Sequence, residues 1–370
     1  MAKPRTSNRD AAALLGRLGP WLDERIGTPQ PVRITSLGGP DGAGLSSDTL
    51  LLDLDWDANG PMHRPVVLRL PPPDDASPVF ASYDLARQVD AMRTVRAHTD
   101  APVPEILWAD TSGTAIGVPF FLMERVDGLV PPDILPYTWG SWVTELDPAS
   151  IDTMSDDAVD ILIAIHAAPP SAQLISAAIA DAPDASPEAS MLERHVAKVR
   201  AHFDWAARGR SYPTVERGWD LVRSTMPTID RPDVLVWGDA RIGNILWRDA
   251  RAVGVLDWEM TTIGPRELDL AWLLYFAEYF QMSAEGRGHP GVPTLLRREH
   301  VVDRYERATG VEPIALDWFL ALTALHQTSI GIRTTDRAIE FGEYPPEAAE
   351  ESALHSIAQL HHRLDTLERI

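Results

Sequence analysis

The chain has no cysteine in its 370 residues. Disulfides, thiolate metal sites and cysteine nucleophiles are therefore excluded, and any chemistry rests on oxygen, imidazole or cationic side chains. Positive charge is scarce too: 33 Lys and Arg stand against 54 Asp and Glu, a formal net charge of −21. Such a surface repels phosphate backbones and anionic lipid, which argues against nucleic acid or a membrane as the main partner. It would suit a cationic substrate, although solubility alone also accounts for acidity. Long apolar runs are missing as well. The longest, around Leu270–Phe280, is broken by Glu278 and is too short to span a bilayer. The N-terminal MAKPRTSNRD leads into an amphipathic stretch with no signal-peptide core, so the cytoplasm is the expected compartment. Nothing repeats internally, and no obligate protein partner is evident. At 45% hydrophobic and 24% charged residues, the chain has a globular composition and enough length for two lobes.

What is present is concentrated in Val234–Ala271, VLVWGDARIGNILWRDARAVGVLDWEMTTIGPRELDLA. A strand-like run, Val234–Trp237, delivers Gly238 and Asp239 into a loop. Ile245–Trp247 and Val253–Leu256 read as two strands of a hairpin about the polar turn Arg248–Arg251. That hairpin sets Asn244 and Asp257 side by side at its open end, with Asp239 on the loop entering the same end. Hard oxygen ligands suit magnesium, which takes one or two carboxylates plus phosphate oxygens. Asn244 and Asp257 fit that ligand role, and Asp239 is left to accept the proton of an attacking hydroxyl. Arg241 is a permanent cation able to offset charge on a transferring phosphoryl group. The competing account is a structural hairpin carrying solvated carboxylates.

Upstream, helical spacing of Leu14, Leu18, Leu22 and Ile26 predicts a helix over Ala11–Ile26. Strands follow at Val32–Leu37, Thr49–Trp56 and Pro65–Leu70. Between the first two lies GGPDGAGLSSD, where Gly42 and Gly44 allow close backbone approach to phosphates and Ser46 and Ser47 add hydroxyl donors. A plain hairpin turn has the same composition. A helix over about Tyr83–His98 and strands at Val103–Trp108 and Pro119–Arg125 complete a β-rich portion. Beyond it the chain is mainly helical: Asp156–Ala168, Met191–Ala207, Val215–Met226, Leu268–Gln281, and final helices near Arg297–Gly310, Pro313–Arg333 and Glu347–Ile370. Residues 169–190, rich in Ala, Ser, Pro and Asp, read as a surface connection. His166 reads as a structural hydrogen-bonder, and Glu306, Asp317, Trp318 and Asp336 as solvated helix faces or acceptor-site lining.

The Asp-x-x-x-x-Asn of Asp239–Asn244, followed after a hairpin by Asp257, resembles the catalytic and metal-binding loops of the protein-kinase superfamily. The form GDARIGN…VLDWE…GPRELDLAW is most similar to the aminoglycoside phosphotransferase and choline kinase-like branch, which includes kinases acting on hydroxyacyl-CoA thioesters. The resemblance implies an α+β, two-lobed kinase-like fold, with a nucleotide-covering lobe over residues 1–125 and a helical lobe over 126–370. It implies ATP as co-substrate with Mg2+, and a small-molecule hydroxyl acceptor. Arg69 stands where the family holds the nucleotide's phosphates, usually by lysine. The backbone of Glu124 to Val126 would meet an adenine-like base, and Asp269 would hold the catalytic loop. Two further departures are Gln88, with Asp84 and Asp90 nearby, where the family has a glutamate partner for that cation, and Trp237 in place of a loop-bracing histidine. These departures leave a non-catalytic binding module of the same fold as the alternative.

Overall fold

Leu52 and Leu54 are fully buried while Leu51 and Asp53 between and beside them are half-exposed, the alternation of a strand with one face on a core. They belong to β2 (Asp48–Asp57) of an antiparallel five-stranded sheet. Its order is β1 (Arg33–Gly38), β2, β3 (Pro61–Leu70), β5 (Phe120–Glu124), β4 (Ile106–Asp110). The structure is a computed structural model that describes residues 10–39, 48–73 and 77–369. The glycine- and serine-rich segment with Gly42, Gly44, Ser46 and Ser47 lies outside the described residues.

The two faces of the sheet pack on different things. One face, including Val66, Leu68 and Leu122, buries against α1 (Ala11–Ile26) through Leu14, Leu18 and Leu22. The other, through Val67, Phe121 and Met123, joins the large core of the helical lobe. Helix α2 (Leu85–His98) lies in that second core by Val89, Met92 and Val95. Its Arg87 forks onto both oxygens of Asp181 at 2.7 Å. The same carboxylate takes Lys198 at 2.7 Å, so an ion-pair cluster ties α2 to the helical lobe.

In the helical lobe, α3 (Pro148–Ala167) begins earlier than the Asp156 its apolar spacing predicts. Asp147 caps it by accepting from the Ser150 N–H, and Pro148 supplies the fixed φ of a first turn. Residues 169–190 are not the plain connection their composition suggests, for α4 (Ala172–Ala180) occupies their first half. Ser171 caps it, and Leu174 and Ala178 are buried. Helices α5 (Met191–Ala207) and α6 (Pro213–Ser224) follow, then α7 (Glu267–Glu285), α8 (Arg298–Thr309), α9 (Leu316–Glu340) and α10 (Ile357–Leu367). The last is shorter than the run Glu347–Ile370, which opens with two 3-10 turns, Pro346–Ala349 and Glu351–Ala353. α9 is the central post, packed by α5, α6, α7 and α10. No single helix among the described residues is long and apolar enough to cross a membrane.

Candidate active site

Short strand β6 (Val234–Val236) pairs antiparallel with β9 (Thr262–Gly264), a strand too brief to leave a periodic trace in the sequence. Past β6 the backbone must turn sharply. Gly238 has φ +96, and a Cβ there would lie 2.4 Å from the Met260 carbonyl oxygen, so only glycine fits. The hairpin is β7 (Ile245–Arg248) with β8 (Arg251–Val255). Its turn residues Asp249 and Ala250 have φ 51 and 59, the left-handed pair of a two-residue hairpin turn. At the open end the Leu256 N–H donates to the Asn244 carbonyl at 2.8 Å, which places Asn244 and Asp257 side by side. Asp257 itself is held at φ 57, a strained value for a residue with a Cβ.

Asp269, fully buried at the start of α7, anchors the loop. Its carboxylate accepts the Trp237 N–H at 2.7 Å and the Gly238 N–H at 2.8 Å, and faces the His166 ring at 3.1 Å. His166 in turn meets the Tyr305 hydroxyl at 2.8 Å, a structural hydrogen-bonder as expected. Trp237 does more than pack. Its indole N–H lies 2.9 Å from the Leu256 carbonyl and 3.1 Å from that of Asp257, so it ties the loop after β6 to the second aspartate.

Asp239 lies between two donors. Trp272 Nε1–H donates to its Oδ1 at 2.7 Å, and Arg241 Nε approaches the same oxygen at 3.3 Å. Burial pushes the Asp239 carboxyl above its ordinary range. Arg241 works against that shift and the Asp257 charge adds to it. Arg241 is itself clamped by Asp133, at 2.7 and 2.8 Å, and lies 5.4 Å from the Phe276 ring. Burial disfavours its charge, but Asp133 and Asp239 more than offset this. Its charge is thus shared by two carboxylates.

Across the cleft, Arg69 on β3 bonds the Thr49 hydroxyl at 3.0 Å and Asp257 Oδ1 at 3.3 Å. Neither alternative on α2 takes it. Asp84 caps that helix through the Arg87 N–H, and Asp90 accepts from the Ser171 hydroxyl. Gln88 is buried on the same helix and carries no charge. Asp257 therefore serves Arg69 as carboxylate partner. At the inter-lobe edge, the Glu124 N–H is already spent on the Glu105 carbonyl at 2.9 Å. The Val126 N–H makes no backbone hydrogen bond among the described residues.

The donor set fits a hard cation. The Asn244 amide nitrogen donates to the Asp239 carbonyl at 3.0 Å, which leaves its oxygen as the free end. Asp257 keeps Oδ2 beyond its contact with Arg69. Among the described residues no cluster of three or more His, Cys, Asp or Glu side chains forms a metal cage. A cation at Asn244 and Asp257 would complete its shell with phosphate oxygens and water, as magnesium does. Of the residues singled out in the acceptor direction, Glu306 is exposed on α8 and the other three are otherwise engaged. Asp317 pairs with Arg298, Asp336 with Arg210, and the buried Trp318 donates to the Val222 carbonyl.

The family model of the phosphotransferase enzyme family, APH, matches residues 40–308. The chain belongs to that family. It is 26% identical over 274 residues to acyl-CoA dehydrogenase family member 11 of Homo sapiens, covering 71% of this chain and 32% of that protein. The chain thus spans about a third of the length of the curated relatives it matches. Among solved structures it resembles a Ralstonia eutropha protein assigned to the aminoglycoside phosphotransferases, with TM-score 0.62, 20% identity, and 96% and 97% of the two chains covered. It also resembles a thermostable mutant of aminoglycoside phosphotransferase APH(4)-Ia in ternary complex with AMP-PNP and hygromycin B, with TM-score 0.51, 14% identity, and 95% and 98% covered. This member of the family accordingly has the two-lobed, protein-kinase-like α+β fold its motifs imply.

Proposed function

We propose that the protein is an ATP-dependent O-phosphotransferase that moves the γ-phosphoryl group to a hydroxyl of a small molecule in the cytoplasm. The observation that carries this reading is the convergence of Asp239, Asn244, Asp257 and Arg69 on one end of a braced hairpin. Asp239 orients the acceptor hydroxyl and takes its proton, and burial, by raising its pKa, makes it a stronger base than an exposed carboxylate. Asn244 and Asp257 hold Mg2+, which when bound neutralises phosphate charge. Arg69 leaves Asp257 for the nucleotide's phosphates, and the Val126 N–H and the Glu124 carbonyl meet the base. Arg241 supplies positive charge beside Asp239, opposing the effect of burial on that carboxylate and facing the transferring group. Catalysis of this type is positioning and electrostatics. The complex of a distant structural neighbour with AMP-PNP supports the nucleotide assignment. The acceptor classes in view are aminoglycoside-like sugars and hydroxyacyl thioesters, suggested respectively by the names of structural neighbours and of curated relatives.

The test is acceptor-dependent ADP release with Mg–ATP, measured on wild type and Asp239→Asn across a panel of hydroxylated acceptors. Wild type releases ADP only with a suitable acceptor, and the variant binds Mg–ATP with turnover lowered by about 10²–10⁴-fold. Binding of nucleotide by wild type with no transfer to any acceptor would favour the non-catalytic module.

A further inference from the structure

Behind the catalytic loop lies a cavity of about 20 Å3 between α5, α7 and α9, lined by His195, Gly238, Met260, Trp272, Thr323 and His326 among others. It adjoins the site through Trp272, whose indole N–H holds Asp239 at 2.7 Å while its ring lies 5.2 Å from that of His326. Three of its polar side chains make no hydrogen bond among the described residues. His195 Nδ1 is buried with no hydrogen bond. Thr323 and His326, at 4% and 9% exposure, make no side-chain hydrogen bond to protein among the described residues. A buried polar group left unpaired costs about 1–3 kcal/mol; His195 Nδ1 is such an atom, and the Thr323 hydroxyl and His326 ring beside it leave further bonding capacity open on the same cavity. The wall also contains no Asp or Glu, in a chain whose net charge is −21.

We infer that this cavity receives an uncharged hydrogen-bonding group of the acceptor beside its reactive hydroxyl, a carbonyl, amide or second hydroxyl, bound by His195, Thr323 and His326. The assignment deepens the phosphotransferase reading and rests on it. A water needs about 10–15 Å3 of such volume, so the cavity takes a group of one or two heavy atoms while the rest of the acceptor stays in the cleft. A neutral imidazole and a hydroxyl can each donate one bond to a carbonyl oxygen. An ammonium group would find no carboxylate, and a buried charge without a partner is heavily penalised. The imidazoles are themselves uncharged. Burial, with Lys198 adding to it, pushes His195 down to about 3. Burial together with His202 and His195 holds His326 well below the imidazole range. The polycationic aminoglycosides are thereby disfavoured despite the acidity of the chain as a whole.

The experiment compares acceptors and variants with Mg–ATP. One panel is cationic (hygromycin B and kanamycin), and the other is neutral (short-chain hydroxyacyl N-acetylcysteamine thioesters and hydroxy amides). Turnover is expected with the neutral panel. Thr323→Val, which keeps the shape, and His326→Leu should each raise the acceptor KM by about tenfold, a loss of about one hydrogen bond, with the ATP KM unchanged. Preferential turnover of the cationic panel overturns the inference. So does an acceptor KM that both variants leave unchanged, which would mean an ordered water only, and so does turnover of neither panel while Mg–ATP still raises the melting temperature. Loss of that thermal shift in wild type would overturn the phosphotransferase reading and the inference with it.

Discussion

Trp272 separates two regions provisioned in opposite ways. On the loop side, the groups that hold the loop and Asp239 have partners at short distance: Asp239 has the Trp272 and Arg241 donors, Asp269 has two backbone N–H groups, and the Trp237 indole has two carbonyls. On the cavity side, the side chains of His195, Thr323 and His326 make no hydrogen bonds among the described residues. Under the function and the cavity role proposed above, the difference separates groups that are positioned from groups that recognise a ligand. A catalytic group has to be held before substrate arrives, because reorganisation during reaction costs rate. A recognition group has to be left open, because its partner is the ligand.

Breaking the loop side should have the larger effects. Asp239→Asn should lower kcat by about 10²–10⁴-fold, the usual contribution of a general base. Its melting temperature should not fall. Because burial raises the carboxyl's pKa in the folded protein, the stability tied to the neutral form is present at low pH and lost as pH rises through that value. A neutral asparagine avoids that loss. Trp237→Phe keeps the bulk and removes the indole N–H from the Leu256 and Asp257 carbonyls. By analogy with outer-shell partners of metal sites, magnesium-dependent turnover should drop by about 10–100-fold, read by titrating Mg2+ at saturating ATP. An unchanged magnesium dependence would reduce the brace to packing. Asp269→Ala strands the Trp237 and Gly238 N–H groups at about 1–3 kcal/mol each, so melting should fall by several degrees.

The cavity side sharpens the contrast through pH. His195 is pushed down to about 3 in the folded protein, from an ordinary imidazole value of 6.5. The unfolded chain therefore binds the extra proton between those values, and stability present above about 6.5 is lost as pH falls towards 3. Each such histidine contributes up to about 1.4 kcal/mol per pH unit in that window. The double variant His195→Leu/His326→Leu should lose less stability than wild type between pH 6.5 and 5, measured by denaturant unfolding at each pH. Equal losses would show that the two rings titrate alike in folded and unfolded chains.

Local order was legible in this chain and tertiary order was not. Apolar helical spacing gives α1 and α5 with the bounds they have. A polar turn between two short apolar runs gives the β7–β8 hairpin, and with it the neighbourhood of Asn244 and Asp257. α4 escaped because a stretch of Ala and Ser between prolines reads as a loop until Ser171 caps it. The indole brace of Trp237 depends on where the hairpin's carbonyls fall, which no spacing encodes. The choice of Asp257 by Arg69 follows from the approach of two lobes, separated by 188 residues in sequence. The cavity is assembled from α5, α7 and α9, and its histidines are isolated letters in the chain.

The central claim is that Asp257 belongs to a metal–nucleotide site rather than to a structural ion pair with Arg69. The direct measurement is thermal unfolding of wild type and Asp257→Ala, each with and without Mg–ATP. Ligand at about 100 times its dissociation constant stabilises by about 2.7 kcal/mol, a shift of a few degrees at this size. The account predicts that shift in wild type, its loss when magnesium is withheld, and its absence in Asp257→Ala. Equal shifts in both proteins, or none in either, would contradict it.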